Sequence, residues 1–177
     1  MGFLKVIDSI NEYVGRVTAY IGAAMMFFVT FEVVMRYLFN RPTIWTFELN
    51  QSLLCIYAAF AGGYTLLHHG HVNVEIVSQR FGERTRATAN IFTSFLFFGF
   101  IFLLLWQTFV MAIDSVKLGE RSEGLIGFPL YPAKIAIVIG VTLVLLQGLA
   151  SFVRNIVTLI TGVEPPRPPG IFERRRK

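Results

Sequence analysis

Four long apolar stretches, at about 14–38, 47–67, 87–113 and 132–160, take up most of this chain of 177 residues. A helix crosses the hydrocarbon core of a bilayer with about 20 predominantly apolar residues, and each stretch reaches that length. Only 15% of the residues are charged and mean hydropathy is +0.60, whereas a soluble domain carries about 25% charge. The expected fold is an all-α membrane protein with four transmembrane helices and almost no soluble mass.

The surplus of Lys and Arg over Asp and Glu, 16 against 11, would suggest nucleic acid in a soluble chain. Here its distribution matters more. With the N-terminus inside, Lys5, Arg16, Arg80, Arg84, Arg86, Arg154, Arg167, Arg174, Arg175, Arg176 and Lys177 fall on the inner side. Arg36, Arg41, Lys117, Arg121 and Lys134 fall outside. This asymmetry predicts that both termini are cytoplasmic, and it explains the charge without nucleic acid.

Between the first two spans the chain carries Glu32, Arg36, Arg41 and Glu48. One Asp, Lys or Arg at a helix centre costs about 2.5–3.5 kcal/mol on insertion scales, and less toward the interface, so such groups need partners. Glu32 and Arg36 are four apart with the acid first, the better orientation for an ion pair on one helix face. Asn40-Arg41-Pro42 breaks the helix, because Pro42 lacks an N–H and disfavours helical angles at Arg41. Trp45 suits the headgroup level, and Glu48, Asn50 and Gln51 open the second helix. These residues read as interface anchors of a helical hairpin, or else as a polar cluster that docks a partner or a substrate.

Phe3, Val6, Ile7, Ile10, Tyr13 and Val14 recur at helical spacing, with Lys5, Asp8, Ser9, Asn11 and Glu12 between them. Residues 2–13 therefore form an amphipathic helix, lying in the cytoplasmic interface or packed on a partner. In the first span, Gly15, Ala19 and Ala23 form a small-residue stripe for close helix approach, and Ala59, Gly62 and Gly63 form a second. His68, His69 and His71 invite a metal or haem reading, yet the chain has no other His to complete a ligand set. Histidines facing water or headgroups at a helix end fit better. Residues 71–81 are half apolar and suit a second interfacial segment.

The third span is rich in Phe, which faces lipid or packs in the core, and its length implies tilt. The loop at 114–129 is polar and Gly-containing, the kind of segment that carries recognition. Pro132 suits the first turn of the fourth span. Residues 164–177 form a Pro-rich basic cytoplasmic tail, an extended tether ending in four cations for anionic headgroups. Cys55 is the sole cysteine; it reads as a small core residue and has no local support as a catalytic thiol. The first apolar run is longer than the core of a signal peptide, which predicts an uncleaved first span.

In order along the chain stand Glu32-x-x-x-Arg36-Tyr37, Asn40-x-Pro42-x-x-Trp45-x-x-Glu48, Gly62-Gly63-Tyr64, Gly70-His71-Val72-x-Val74 and Gly119-Glu120-x-Ser122. In these motifs, spread over nearly all four spans, the chain resembles the small integral membrane subunit of tripartite ATP-independent periplasmic (TRAP) transporters, the DctQ-like family. The resemblance implies a non-enzymatic subunit of the bacterial cytoplasmic membrane, without cofactor or metal. Its partners would be a large sodium-coupled elevator subunit, a periplasmic binding protein that delivers an organic anion, and membrane lipid. On this resemblance Glu32, Arg36, Tyr37, Asn40, Pro42, Trp45, Glu48, Gly62, Gly63 and His71 form the structural and subunit-interface motif. Residues 71–81 become an interfacial arm, and Lys117, Glu120, Arg121 and Glu123 the candidate contact with the binding protein.

Two other classes compete. A self-sufficient four-helix proton-coupled transporter would use Glu32 as its carboxylate, but Arg36 beside it favours the ionised form. A haem or quinone anchor would use His68, His69 or His71. The nearly featureless middle of each span favours an accessory subunit, since a transport pathway needs polar groups near the midplane.

Overall fold

The computed structural model of the chain describes residues 2–68, 83–124 and 126–161. Within them lie four helices: α1 (Gly2–Tyr37), α2 (Trp45–Leu67), α3 (Glu83–Leu118) and α4 (Tyr131–Thr161). Residues 69–82 and 162–177 lie outside this description. With them go the expectations for His69, His71, the interfacial segment at 71–81 and the basic tail.

The helices alternate in direction along the chain and pack in a row, α1 on α2, α2 on α4, and α4 on α3, with a smaller contact between α1 and α4, so that the neighbours α2 and α4 run parallel. One end of the row gathers the start of α1, the end of α2 and the end of α4, and is called the terminal end below. The loop end carries the α1–α2 and α3–α4 connections. Three helices, over Leu4–Tyr37, Ile91–Leu118 and Tyr131–Thr161, are long and apolar enough to cross a membrane. The polar opening of α2, Thr46 to Ser52, dilutes its hydropathy. Its 23 residues still extend about 34 Å, packed between two of the candidate spans.

Exposure runs opposite to that of a soluble protein. Phe92, Phe95, Leu96, Phe100, Leu103 and Trp106 of α3 all face outward, whereas Asp8, Asn11, Glu12, Glu48, Gln147 and Arg154 are buried. A helix that presents such a surface has lipid as its natural solvent, where polar side chains need partners inside the protein. Phe97 and Phe98 are the aromatics of α3 that turn inward: Phe97 seats against Gly148, and Phe98 meets Phe152 edge-on at 5.7 Å.

Local chemistry sets the helix ends. Beyond Tyr37 the chain reverses at Asn40, whose φ of 51° is tolerated by Asn better than by most residues, and the Arg41 N–H closes on the Met35 carbonyl at 3.0 Å. α3 stops in a Schellman motif: Gly119, at φ 57°, donates its N–H to Val116, and Glu120 donates to Ser115 at 3.0 Å. Pro132 falls in the first turn of α4, where its missing N–H costs nothing.

Two sequence expectations change at α1. The amphipathic segment at 2–13 runs on into the first span, and what changes is its orientation, with the polar side turned inward: Asp8, Asn11 and Glu12 are buried while Val6, Ile10 and Tyr13 are exposed. The small-residue stripe also runs elsewhere. Gly15 lies against Tyr64, and a Cβ on Gly22 would stand 3.2 Å from Tyr57, whereas Ala19 and Ala23 are exposed. Steps of four residues drift about 40° per step around a helix of 3.6 residues per turn, so a strict four-residue stripe winds off the contact face. On α2 the small residues do sit at contacts, with Ala59 against Gly140, Gly62 against Val144 and Gly63 against Asn11. Cys55 is half-buried.

Candidate functional site

Two polar clusters occupy the two ends of the helix row. The loop-end cluster holds most of the residues singled out from the sequence. Glu32 accepts from Arg36 Nε at 3.1 Å and Nη2 at 2.7 Å. Its other oxygen accepts from the Thr43 backbone N–H at 3.0 Å and from the Thr43 hydroxyl. Thr43 Oγ1 in turn lies 2.5 Å from Thr46 Oγ1. The i,i+4 pair is thus also the clasp of the α1–α2 hairpin, because the carboxylate reaches eleven residues along the chain to the turn that precedes α2. Glu32 is mostly enclosed, and the Arg36 side chain remains 56% exposed. A cleft of about 310 Å³ opens beside them, lined by Val29, Val33, Tyr37 and Phe47 with Glu32, Arg36, Thr46 and Asn50. Trp45 leans back on α1, with ring centroids 6.0 Å from Phe28 and 6.3 Å from Phe31. Tyr37, Leu38 and Phe39 are outward-facing.

Glu48 does something the sequence did not disclose. It is buried, and it ties α2 to the α3–α4 loop by accepting from the Ser122 hydroxyl and from the Phe128 N–H at 3.2 Å. Ser122 N–H donates to the Phe128 carbonyl at 2.8 Å, and Leu130 N–H to Glu120 at 3.0 Å, so the loop closes as a narrow hairpin-like strap. Gly124 rests on the Glu48 carboxylate, with no room for a Cβ. Within this strap Glu120 pairs with Lys134 at the start of α4. The hydrogen bond from Lys134 holds the Glu120 carboxyl below its ordinary value of 4.5. Arg121 and Glu123 are exposed on the same loop, and Lys117 is exposed in the last turn of α3.

The terminal-end cluster went unrecognised in the sequence. Arg154 Nη2 donates to Asp8 Oδ2, Gln147 Nε2 donates to Asp8 Oδ1 at 3.2 Å, and Asn11 Nδ2 donates to Gln147 Oε1 at 2.9 Å. Beside it Glu12 meets His68 Nε2 at 2.9 Å and Arg16 at 3.6 Å. His68 also lies under Tyr64, ring centroids 4.5 Å apart. The sequence placed His68 toward water or headgroups; its partner is instead a buried carboxylate on α1. A signal for this cluster existed in principle. Gln147 and Arg154 are seven apart on an otherwise apolar helix, one face of α4 over two turns, and need partners at that depth.

Between the clusters the helices carry no charged side chain at 17–31, 49–67, 87–113 or 135–153. The polar groups there include Thr18, Thr108 and Thr142, each returning its hydroxyl to a carbonyl in its own helix. Among the described residues no three His, Cys, Asp or Glu side chains converge. Among the described residues the arrangement holds helices together at both ends and sets no charged side chain between the two clusters.

The family model described as "Tripartite ATP-independent periplasmic transporters, DctQ component" matches residues 25–158. That match takes in the loop-end cluster, the α3–α4 strap, Gln147 and Arg154. No curated protein matches the chain.

Proposed function

The chain belongs to the DctQ component family of tripartite ATP-independent periplasmic transporters, and we propose that it is the small permease subunit of such a transporter. In this reading it is a non-catalytic scaffold and membrane anchor of the bacterial cytoplasmic membrane. It holds a large sodium-coupled elevator subunit while that partner takes up organic anions delivered by a periplasmic binding protein. In this reading the chain crosses four times with both termini in the cytoplasm, which the Lys and Arg asymmetry supports, and the loop end lies at the periplasmic surface. Glu32, Arg36 and the hairpin they clasp then stand at the junction with the large subunit, and Lys117, Arg121 and Glu123 face the binding protein.

The observation that carries this reading is the separation of the polar clusters. A transport pathway needs hydrated polar groups and broken helices near the midplane. Here four unbroken helices have charge-free middles, and their buried charges are used to fasten the ends. A self-sufficient proton-coupled exchanger would need Glu32 free to release and rebind a proton, but Arg36 and Thr43 occupy both of its oxygens. The test is reconstitution in vesicles. Sodium-driven uptake with the binding protein is expected only when the large subunit and this chain are present together. Uptake by this chain alone would overturn the scaffold reading.

A further inference from the structure

A groove between α3 and α4 at the loop end has the width of one hydrocarbon chain. Its volume is about 430 Å³, and it is bounded on the α3 side from Phe109 to Lys117 and on the α4 side from Ile135 to Ile139. Ala112 is buried at its floor, where a small side chain gives the groove its depth, while Val116, Ile135 and Ile139 are exposed along its rims. Every residue that lines it is apolar except Lys117.

The charge-free stretch of α4 sets the depth of this groove. Residues 135–153 lie between Lys134 and Arg154 and extend about 28 Å, against about 30 Å of hydrocarbon. Ile135 and Ile139 therefore line the outermost hydrocarbon of the leaflet at the loop end, and Lys134 and Lys117 stand at its headgroup level. An apolar groove at that depth takes hydrocarbon and holds no water. From Phe109 to Lys117 α3 rises about 12 Å, so the mean cross-section is about 36 Å², a width of about 6 Å, whereas a helix with its side chains is about 10–12 Å across. The groove admits a chain and not a helix.

Charge at the mouth specifies the rest of the ligand. Lys134 is engaged with Glu120, whereas Lys117 is exposed and, among the described residues, no carboxylate pairs with it. Asp114, three residues earlier on α3, is exposed as well and does not reach it. We infer that this groove is a phospholipid site, with one acyl chain between α3 and α4 and the lipid phosphate on the Lys117 ammonium. The two contacts act on one molecule, so the chain in the groove holds the phosphate beside the ammonium at high effective concentration. A charge-assisted hydrogen bond from Lys to phosphate then fixes the headgroup. With Lys117 so engaged, Arg121 and Glu123 are the exposed charges of the strap that remain for a binding protein. The site requires a bilayer and is independent of the subunit reading above.

The test is native mass spectrometry of the delipidated full chain in detergent, titrated with palmitoyl-oleoyl phosphatidylglycerol. Saturable retention of one phosphatidylglycerol per chain is expected, weakened several-fold by Lys117→Gln and by Ile139→Trp, whose ring fills the groove. Lys117→Arg should retain the lipid, and Leu103→Trp, at an exposed position of α3 outside the groove, should leave retention unchanged. Val116→Trp fills the groove from α3 and replaces Ile139→Trp if that variant does not fold. Equal retention by the unmodified chain, Lys117→Gln and the groove-filling variant overturns the site, because the bound lipid is then annular and unselective. In the chain co-purified with the large subunit, a photo-crosslinking residue at Ile139 should capture phospholipid. Capture of the large subunit instead overturns the site and leaves the subunit reading standing.

Discussion

Arg154 near the end of α4 is paired with Asp8 near the start of α1, and the two side chains are 2% and 4% exposed. Removing one member leaves a buried charge without its counter-ion, which costs about 3–5 kcal/mol. Asp8→Asn or Arg154→Met alone should therefore lower the thermal unfolding midpoint in detergent sharply. Asp8→Leu combined with Arg154→Met should be clearly more stable than the Arg154→Met single variant, because no charge is then stranded. Additive losses in the double variant would show that the ion pair is not the coupling between these helices.

Glu48→Gln tests the strap. It keeps the side-chain shape and removes a carboxylate that accepts from Ser122 and Phe128. Hydrogen bonds to charged groups contribute about 1.5–3 kcal/mol, so the α3–α4 loop should open more readily while the helices stay folded. Faster hydrogen exchange at the Phe128 amide and earlier proteolysis within 120–130 are expected. Gly124→Ala should act the same way from the other side, since its Cβ would stand 2.5 Å from the Glu48 carboxyl carbon.

Acid should loosen the same strap through a second contact. The Lys134 hydrogen bond holds Glu120 below its ordinary value of 4.5. A lowered folded-state value means that the opened loop binds the proton first as pH falls, so the contact's contribution is complete above 4.5 and is lost as pH drops through the folded value. Exchange of the loop amides, corrected for intrinsic rate, should rise on acidification below 4.5. Lys134→Met should reduce that acid dependence, and a profile unchanged by this substitution would exclude the pair as a cause.

The helices were legible because runs of more than twenty apolar residues leave little choice of structure in a membrane. The Glu32–Arg36 pair was legible because i,i+4 geometry is local. The Asp8–Arg154 pair joins residues 146 apart, and its local pattern misled. Asp8, Asn11 and Glu12 form the polar side of an amphipathic helix, which in water is the outer side. Periodicity identifies two faces and says nothing of which solvent each one meets. The partner of Glu48 was hidden for a different reason: Ser122 and Phe128 reach it through a loop whose path is set by Gly119, Gly127 and the Arg121–Pro129 bridge. The family match begins after Asp8 and Asn11, so half of the terminal-end cluster lies beyond it.

Gly140 and Gly99 separate packing from propensity as sources of stability. A Cβ on Gly140 would stand 2.6 Å from the Ala59 carbonyl oxygen, a backbone atom of α2 that cannot rotate away. Gly140→Ala must push α2 and α4 apart, and overpacking of this kind costs about 1–3 kcal/mol. A Cβ on Gly99 would meet nothing within 4 Å, and Ala is favoured over Gly in a helix by about 1 kcal/mol. Gly99→Ala should leave the unfolding midpoint unchanged or raise it, while Gly140→Ala lowers it. Because α2 carries both Glu32's neighbour Thr46 and the strap anchor Glu48, its displacement in Gly140→Ala should also speed exchange at the Phe128 amide. A Gly140→Ala protein that matches Gly99→Ala in both measurements would mean that the α2–α4 contact is looser than this geometry requires.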